Sequence, residues 1–427
     1  MMPLSVYLRR PRKTLPRSGR FRKHFRKAEY ILWCVPFLLV ILASILIAST
    51  QRNADYADWH QHLTIACIGI CIASGVANIP LEKIRPFLIP IYCLTVGSLM
   101  AVRLIGTSAL GAQRWLNIAG FNVQPSEFAK LSAIIVLAAV LDGYQIRHPK
   151  NLFKPLGVIL LPWLLVFFQP DLGTSLVFGA VLIAMLYWSG MPLEWILLSF
   201  SVGVTALLAG VFPFALCIWI PLVALLAYRS LPNRKLVAAM SMIFHCFIAK
   251  FTPWLWLNGL QDYQRDRLIL FLDPAKDPLG GGYHLLQSTV GIGSGGLFGT
   301  GLLQGQLTKL RFIPEQHTDF IFSALGEEAG FIGTMLVLMG FFCLMVRLLA
   351  VAREARTDFE SLVVVGVLAM LVFQVMVNIF MTIGLGPVTG IPLPFMSYGR
   401  SALLMNFIAM GLCLSVARRG YSASRNW

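Results

Sequence analysis

The sequence predicts an all-α fold, a polytopic transmembrane helical bundle of about 10–12 spans with one large extracytoplasmic loop. Hydrophobic residues make up 57% of the 427 residues and charged residues only 13%, and the mean hydropathy is +0.74. A soluble domain of this length needs more polar surface to cover its core. Apolar runs of about twenty residues recur along the chain and match the thickness of the hydrocarbon layer of a bilayer.

Twelve apolar runs are long enough to cross a membrane, and an even number places both termini on the same side. The predicted spans are residues 30–50, 61–79, 86–105, 126–142, 153–168, 173–190, 193–212, 214–229, 236–257, 320–347, 361–383 and 398–417. Lys and Arg concentrate in alternate connecting segments, which the positive-inside rule assigns to the cytoplasm. These segments are residues 1–29, 82–85, 147–150, 229–235, 347–356 and 418–419. Both termini are therefore predicted to be cytoplasmic.

The domain organisation follows from these spans. A basic cytoplasmic tail at 1–29 precedes a single transmembrane domain at 30–417, and 418–427 form a second cytoplasmic tail. The net charge is +16, and the first 28 residues hold ten Lys and Arg and no acid. Because this basic segment directly precedes a span and lacks an aromatic-rich RNA-binding fold, it is predicted to contact anionic membrane lipid and not nucleic acid. The eight cysteines lie within apolar runs and are interpreted as core residues.

Two of the segments assigned to the outside are long enough to carry chemistry. One covers residues 106–125, and the other is the large, glycine-rich extracytoplasmic loop at 258–319. Long loops in compact proteins are usually functional. We therefore expect the functional site in these two segments.

The end of the large loop carries Glu315, His317 and Asp319 directly before the next span. Capping of that helix by Thr318 or Asp319 would explain one polar residue but not three. Ionisable groups at a lipid boundary are costly and indicate function. A carboxylate in a partly dry cavity suits the role of general base toward a hydroxyl nucleophile.

The first outside segment leads into a second polar cluster. Its members share a position at the outer end of two predicted spans and comprise Arg103, Arg114, Gln124, Ser126, Glu127 and Lys130. Pro125 suits the first helical turn, so free backbone N–H groups would point outward, and such a helix end flanked by cations can hold a phosphate. Alternatively, Glu127 and Lys130 pair with each other, which leaves Arg114 unexplained. Asp171 is interpreted as a cap for the following span.

Four motifs in this chain resemble those of one family. They are Arg114–Trp115 with Gln124–Glu127, Phe168–Thr174, Pro314–Phe322 and Gly390–Gly399. In this order and spacing they are similar to the SEDS (shape, elongation, division and sporulation) family, over about residues 85–192 and 262–417. The stretches at 273–284 and 390–399 resemble the elongation branch of the family more than the division branch.

The resemblance implies a peptidoglycan glycosyltransferase that polymerises lipid II at the outer face of the bacterial cytoplasmic membrane. Asp319 would deprotonate the GlcNAc 4-hydroxyl, which attacks C1 of MurNAc at the reducing end of the growing glycan strand with inversion, and undecaprenyl diphosphate leaves. It also implies a divalent cation, Mg²⁺ or Mn²⁺, with no ligands assigned, and a class B penicillin-binding protein transpeptidase as partner. The residues expected to bind substrate are Arg103, Arg114, Gln124, Ser126, Glu127, Lys130, Glu315, His317, Thr318, Ser397 and Arg400.

The chain departs from the family pattern in two places. Residues 193–257 hold three predicted spans where the family generally has one, which indicates an insertion of two spans. Arg400 stands where the family usually has Gly. This arginine either extends to lipid phosphates at the interface or binds a lipid diphosphate, with Ser397 and Tyr398 within reach.

Three other functions compete with this prediction. A lipid II flippase would carry polar residues through the middle of the membrane, and spans 320–347 and 398–417 have few. A non-catalytic scaffold would need none of Asp319, Arg114 and Lys130. A role in division instead of elongation differs only in the site of action and the partner.

Overall fold

The computed structural model describes residues 19–51, 58–109, 112–118, 121–143, 146, 149–169, 171–231, 233–258, 262–273, 276–277, 282–310, 312–313 and 315–423. The α-helices, α1 to α15 in chain order, are Gly19–Gln51, Trp59–Asn78, Leu88–Ile105, Pro125–Leu141, Phe153–Phe167, Leu172–Trp188, Leu193–Val211, Leu216–Ser230, Arg234–Asn258, Asp262–Leu272, Tyr283–Ser294, Gln306–Leu310, Ile321–Glu354, Asp358–Thr382 and Arg400–Ala423. Residues 1–18 and 424–427 of the predicted tails lie outside the described residues, as do Pro274, Pro314 and 278–281 of the motifs.

The helices confirm the predicted transmembrane bundle. Among the described residues, ten helices are long and apolar enough to cross a membrane. Two further helices, α4 and α6, have 17 residues each. Together these twelve helices coincide with the twelve predicted spans, so the chain is a multi-pass membrane protein.

Three short strands lie in the first predicted outside segment. β1 (Thr107–Ala109), β2 (Ala112–Ile118) and β3 (Phe121–Val123) pair antiparallel in the order β1-β2-β3. Between β2 and β3, Asn117 donates a side-chain hydrogen bond to Asn122 at 3.2 Å. This sheet was not predicted from the sequence, although apolar and aromatic residues of the kind that favour strands recur through the segment.

The chain divides into two compact units. The smaller unit comprises the described residues of 145–153 and 186–269, and the larger one includes the described residues of 16–144, 154–185 and 270–427. The smaller unit therefore contains the whole of 193–257, whose status as an insertion stays a prediction. Its helices α7, α8 and α9 share buried polar contacts, since His245 Nε2 lies 2.9 Å from Ser201 Oγ and Trp219 donates to Thr205 at 3.0 Å.

In the larger unit, small residues allow α2 and α15 to approach closely. A side chain at Gly411 would come within 2.9 Å of the Ala73 backbone, and one at Gly69 would meet the Phe407 ring at 2.6 Å. Close backbone approach at small residues is a general mode of helix packing in membranes. The two helices therefore form a tight pair within the bundle.

One end of the larger unit brings together several of the connections that were predicted to be cytoplasmic. Arg85 forms an ion pair with Asp142 and lies 4.7 Å from the centre of the Phe359 ring. Arg419 donates to the backbone carbonyl of Ile79 at 2.9 Å. Asp142 follows the last residue of α4 and Gln124 precedes its first, so the Gln124–Glu127 motif lies at the opposite end of this helix.

The segment at 258–319, predicted to be a large extracytoplasmic loop, contains three helices, α10 to α12, and the structure does not confirm such a loop. Its middle helix packs inside the bundle. Ser288 on α11 contacts Ser323 Oγ of α13 at 2.5 Å and donates to the Thr382 carbonyl of α14 at 2.6 Å. Several glycines of this segment allow its backbone to pack closely against α13.

Helix α13 is broken at Gly330, where φ is 64° and ψ is −165°. A backbone break in a membrane helix exposes groups that need partners, and residues 296–301 supply them. Phe331 N donates to Gly296 O at 2.9 Å, and Thr300 N donates to Glu327 O at 2.9 Å. Glycine is required because a Cβ at Gly330 would lie 2.3 Å from the Gly299 nitrogen.

Two buried carboxylates at the end of the first part of α13 hold residues 303–308 by hydrogen bonds. Glu327 accepts hydrogen bonds from Leu307 N and Thr308 N at 2.8 Å each, and from Thr308 Oγ1 at 2.6 Å. Glu328 accepts from Leu303 N at 2.8 Å and from the Ser49 hydroxyl. Both glutamates are only 1% exposed. They therefore hold the chain that directly follows residues 296–301, and Glu327 caps the start of α12.

Candidate active site

Asp319 lies in a turn of residues 315–320 that leads into α13. Backbone hydrogen bonds from Thr318 N and Phe320 N to Glu315 O, at 3.1 and 3.2 Å, close the turn. Glu315 itself adopts a left-handed conformation with φ 49°, a backbone state that is unfavourable for residues with a side chain. Asp319 is half-buried, Glu315 is exposed and His317 is buried.

A second turn, residues 390–399, lies against the first. Ser397 Oγ donates to the Thr318 carbonyl at 2.6 Å, and Tyr398 N donates to the His317 carbonyl at 2.9 Å. A Cβ at Gly390 would come within 3.3 Å of Asp319 Oδ2, so the carboxylate packs over a residue without a side chain. The Ser397 hydroxyl, predicted to bind substrate, thus holds the Asp319 turn in place.

Helix α2 supports these turns through residues that the sequence analysis did not single out. The Tyr398 hydroxyl is hydrogen bonded to the Gln61 side chain. Tyr398 also lies between two imidazoles, with ring centres 6.4 Å from His62 and 5.8 Å from His317. A Gln-His pair at the start of an otherwise apolar span was the available signal.

The second predicted cluster forms around Asp171. Arg114 Nη1 lies 3.9 Å from Asp171 Oδ1, and Gln124 Nε2 lies 3.5 Å from Asp171 Oδ2. Asp171 also accepts from Thr174 N at 3.2 Å, which is the capping role that the sequence predicted. Pro125 occupies the first turn of α4, as expected. The cluster therefore contains a cation, an amide and a carboxylate at the ends of two helices.

Glu127 and Lys130 form a buried ion pair. Their Oε1 and Nζ atoms are 2.7 Å apart, with side chains 3% and 2% exposed. The two residues therefore pair with each other, which was the alternative to binding a phosphate. Removal of either partner would leave a buried charge. The Ser126 hydroxyl is buried beside them and has no hydrogen-bond partner among the described residues.

The remaining predicted residues lie at the edge. Arg103 is exposed in the last turn of α3. Arg400 is the first residue of α15, and its guanidinium carbon lies 5.9 Å from the centre of the Phe121 ring in β3. Ser401, the next residue, accepts from Gln124 N at 3.0 Å. The start of α15 therefore contacts both β3 and the start of α4.

The fold and these clusters define a multi-pass membrane protein with a polar site at one end of its helical bundle. The chain belongs to the FtsW/RodA/SpoVE family of cell cycle proteins, whose family model matches residues 24–230 and 215–422. This confirms the resemblance to the SEDS family.

Similar proteins are named for one activity. The peptidoglycan glycosyltransferase MrdB of Escherichia coli (strain K12) is 34% identical over 388 residues, covering 89% of this chain and 92% of that protein. The peptidoglycan glycosyltransferase RodA of Treponema pallidum (strain Nichols) is 32% identical, covering 92% of this chain and 98% of that protein. These relatives are similar to the chain over nearly their whole length.

Solved structures share the fold. A chain from a peptidoglycan synthase complex matches with a TM-score of 0.69 and 26% identity, covering 91% of this chain and 97% of that one. The rod shape determining protein RodA of Thermus thermophilus matches with a TM-score of 0.60 and 22% identity, covering 92% of this chain and 97% of that one. The latter likeness is evidence for the fold alone.

Proposed function

We propose that this protein is a peptidoglycan glycosyltransferase that polymerises lipid II during cell elongation and shape maintenance. Its relatives MrdB and RodA carry that name. The observation on which the proposal rests is the half-buried Asp319, held between two interlocked turns at one end of the bundle. A fixed carboxylate that remains accessible suits a general base.

In the proposed reaction, Asp319 takes the proton of the GlcNAc 4-hydroxyl of lipid II. The hydroxyl oxygen forms a bond to C1 of MurNAc at the reducing end of the glycan strand, while the bond from C1 to the diphosphate oxygen breaks. Undecaprenyl diphosphate carries away the bonding electron pair. Arg114 and Arg400 would hold this diphosphate, since guanidinium groups bind phosphate through charge-assisted hydrogen bonds.

A divalent cation, Mg²⁺ or Mn²⁺, is also proposed to assist the reaction. Among the described residues there is no group of three or more His, Cys, Asp or Glu that could hold a metal ion. Mg²⁺ is commonly bound by one or two carboxylates together with substrate phosphates. A cation would therefore be held largely by the lipid diphosphate, and no step of the proposal depends on it.

Location and partner complete the proposal. The candidate site would face the outside of the bacterial cytoplasmic membrane, with both termini in the cytoplasm, because the connecting segments rich in Lys and Arg alternate along the chain with those that carry the site. A class B penicillin-binding protein would be the partner. The similarity to a chain from a peptidoglycan synthase complex supports a cell-wall partner of this kind.

The proposal is tested with purified protein in detergent, with and without the transpeptidase, supplied with lipid II and either Mg²⁺ or a chelator. We expect glycan strands, resolved by gel electrophoresis, and release of undecaprenyl diphosphate. A flippase would produce neither in detergent, because it forms no bonds. Lipid II that stays unpolymerised with the partner present would refute the glycosyltransferase proposal.

Replacement of Arg400 by Gly should weaken substrate binding. The guanidinium lies on the Phe121 ring beside the Gln124 cluster, and loss of a charged hydrogen bond costs about 1–3 kcal/mol. We expect KM for lipid II to rise by about 5–150-fold at similar kcat. Arg419→Gly, which removes the same charge at the other end of α15, is the control. An unchanged KM would show that Arg400 only extends to lipid phosphates.

The twelve-span topology predicts a cytoplasmic location for the connection between α8 and α9. Asn233 lies in that connection and is exposed. In a variant without the native cysteines, Asn233→Cys should react with a membrane-impermeant maleimide only after the membrane is permeabilised. Labelling of intact spheroplasts would show that α8 and α9 do not both cross the membrane.

A further inference from the structure

Helix α14 carries a row of buried polar residues within an apolar span. Gln374, Asn378 and Thr382 recur every four residues and so lie on one face of the helix. They are 1%, 0% and 0% exposed. Polar side chains in the membrane interior are costly and indicate a function for the row.

Asn378 makes two contacts that connect directly to the candidate site. Its Nδ2 group donates to the Asp319 carbonyl at 2.8 Å and to the Ile391 carbonyl at 2.8 Å. One buried amide therefore joins the turn that carries Asp319 to the turn of residues 390–399. Both amide hydrogens are used, one on each turn.

The position of these two carbonyls is informative. Asp319 carries the carboxylate, and Ile391 follows Gly390, the residue over which Asp319 Oδ2 packs. Asn378 thus fixes the backbone at the carboxylate and at the surface on which the carboxylate lies. The Ser397 hydroxyl also joins the two turns, since it donates to the Thr318 carbonyl at 2.6 Å. Ser397, however, belongs to the second turn itself, whereas Asn378 holds both turns from α14.

Gln374 provides an internal comparison. It lies one turn earlier on the same face and is equally buried, and its Oε1 atom, like Asn378 Oδ1, has no hydrogen-bond partner among the described residues. Thr382, one turn later, accepts from Ser288 through its backbone carbonyl at 2.6 Å. Burial is common to the row, whereas the contacts with both site turns belong to Asn378.

We propose that Asn378 is a positioning residue for Asp319, a role that rests on the function proposed above. Catalytic groups must be held close to their productive geometry, and an error of about 1 Å can cost about 100-fold in rate. Without the amide, the two turns lose a shared anchor and the Asp319 carboxylate can shift relative to the bound hydroxyl. Substrate binding, which depends on other side chains, stays intact.

The test compares Asn378→Leu, which removes both donors and keeps the branched shape of the side chain, with Gln374→Met on the same face. For Asn378→Leu we expect kcat to fall about 10–100-fold, with KM within about twofold of wild type. Gln374→Met should retain kcat. Asn378→Leu should unfold at a lower temperature than Gln374→Met, because two backbone carbonyls lose their donor, and both variants are assayed well below their unfolding temperatures. If Asn378→Leu does not accumulate in membranes, Asn378→Ser removes the amide without adding apolar bulk and is assayed in the same way.

A wild-type kcat in the Asn378 variant, an equal loss in Gln374→Met, or a loss that appears mainly in KM would each overturn the inference. Asp319→Asn, assayed in parallel, separates the two levels of the argument. Activity in Asp319→Asn refutes the role of Asp319 itself. Loss in Asp319→Asn together with full activity in the Asn378 variant refutes only the positioning role.

Discussion

Asp319→Asn should abolish glycan polymerisation while leaving membrane insertion and lipid II binding intact. The amide keeps the shape of the side chain but cannot accept the hydroxyl proton, and general base catalysis contributes about 10²–10⁴-fold. The backbone contacts that hold the turn, from Asn378 and Ser397, do not involve the Asp319 side chain. The measurement is the initial rate of lipid II consumption by purified protein.

The control is Asp358→Asn, which makes the same change at an exposed carboxylate in the first turn of α14, at the opposite end of that helix. It should polymerise at the wild-type rate. A rate near wild type in Asp319→Asn would show that another group acts as the general base.

Glu327→Ala should strongly destabilise the protein. The carboxylate is 1% exposed and accepts hydrogen bonds from two backbone N–H groups and the Thr308 hydroxyl. Each buried donor left without a partner costs about 1–3 kcal/mol, so we expect a loss of about 3 kcal/mol or more. The measurement is the thermal unfolding temperature in detergent, together with the amount of folded protein in membranes.

A graded comparison strengthens this experiment. Thr308→Val removes only one of the three donors to Glu327 and should lower the unfolding temperature by much less. Equal unfolding temperatures for wild type and Glu327→Ala would show that the segment before α13 does not depend on this carboxylate.

The spans could be predicted from the sequence because each apolar run is bounded by polar residues, and the hydrocarbon layer fixes its length. The structure of the segment at 258–319 could not be predicted in the same way. The glycines between Gly291 and Gly301 are typical of a loop, but several permit close backbone contact with α13. At Gly299, for example, an added Cβ would lie only 2.1 Å from the Glu328 carbonyl oxygen. Composition alone does not separate a flexible glycine from one that allows close packing.

The site was predictable to the extent that chemistry is visible in residue type. Asp319 and Arg114 stood out because ionisable groups are rare near lipid. Asn378 was not predicted, because one amide within the apolar run at 361–383 carries little signal by itself. Only its four-residue spacing from Gln374 and Thr382 indicates a shared helical face. Its two acceptors are backbone carbonyls, at Asp319 and Ile391, and no side-chain pattern reveals those.

The break in α13 bears on how the chain enters the membrane during synthesis. Backbone groups left open in hydrocarbon cost several kcal/mol each, and those near Gly330 find partners in residues 296–301. These partners precede α13 in the chain and leave the ribosome first. A translocon that released α13 into lipid alone would release an open break. The segment from α11 to α13 should therefore partition into the bilayer as one insertion unit. Residues 296–301 would not be released into lipid before α13 has been synthesised.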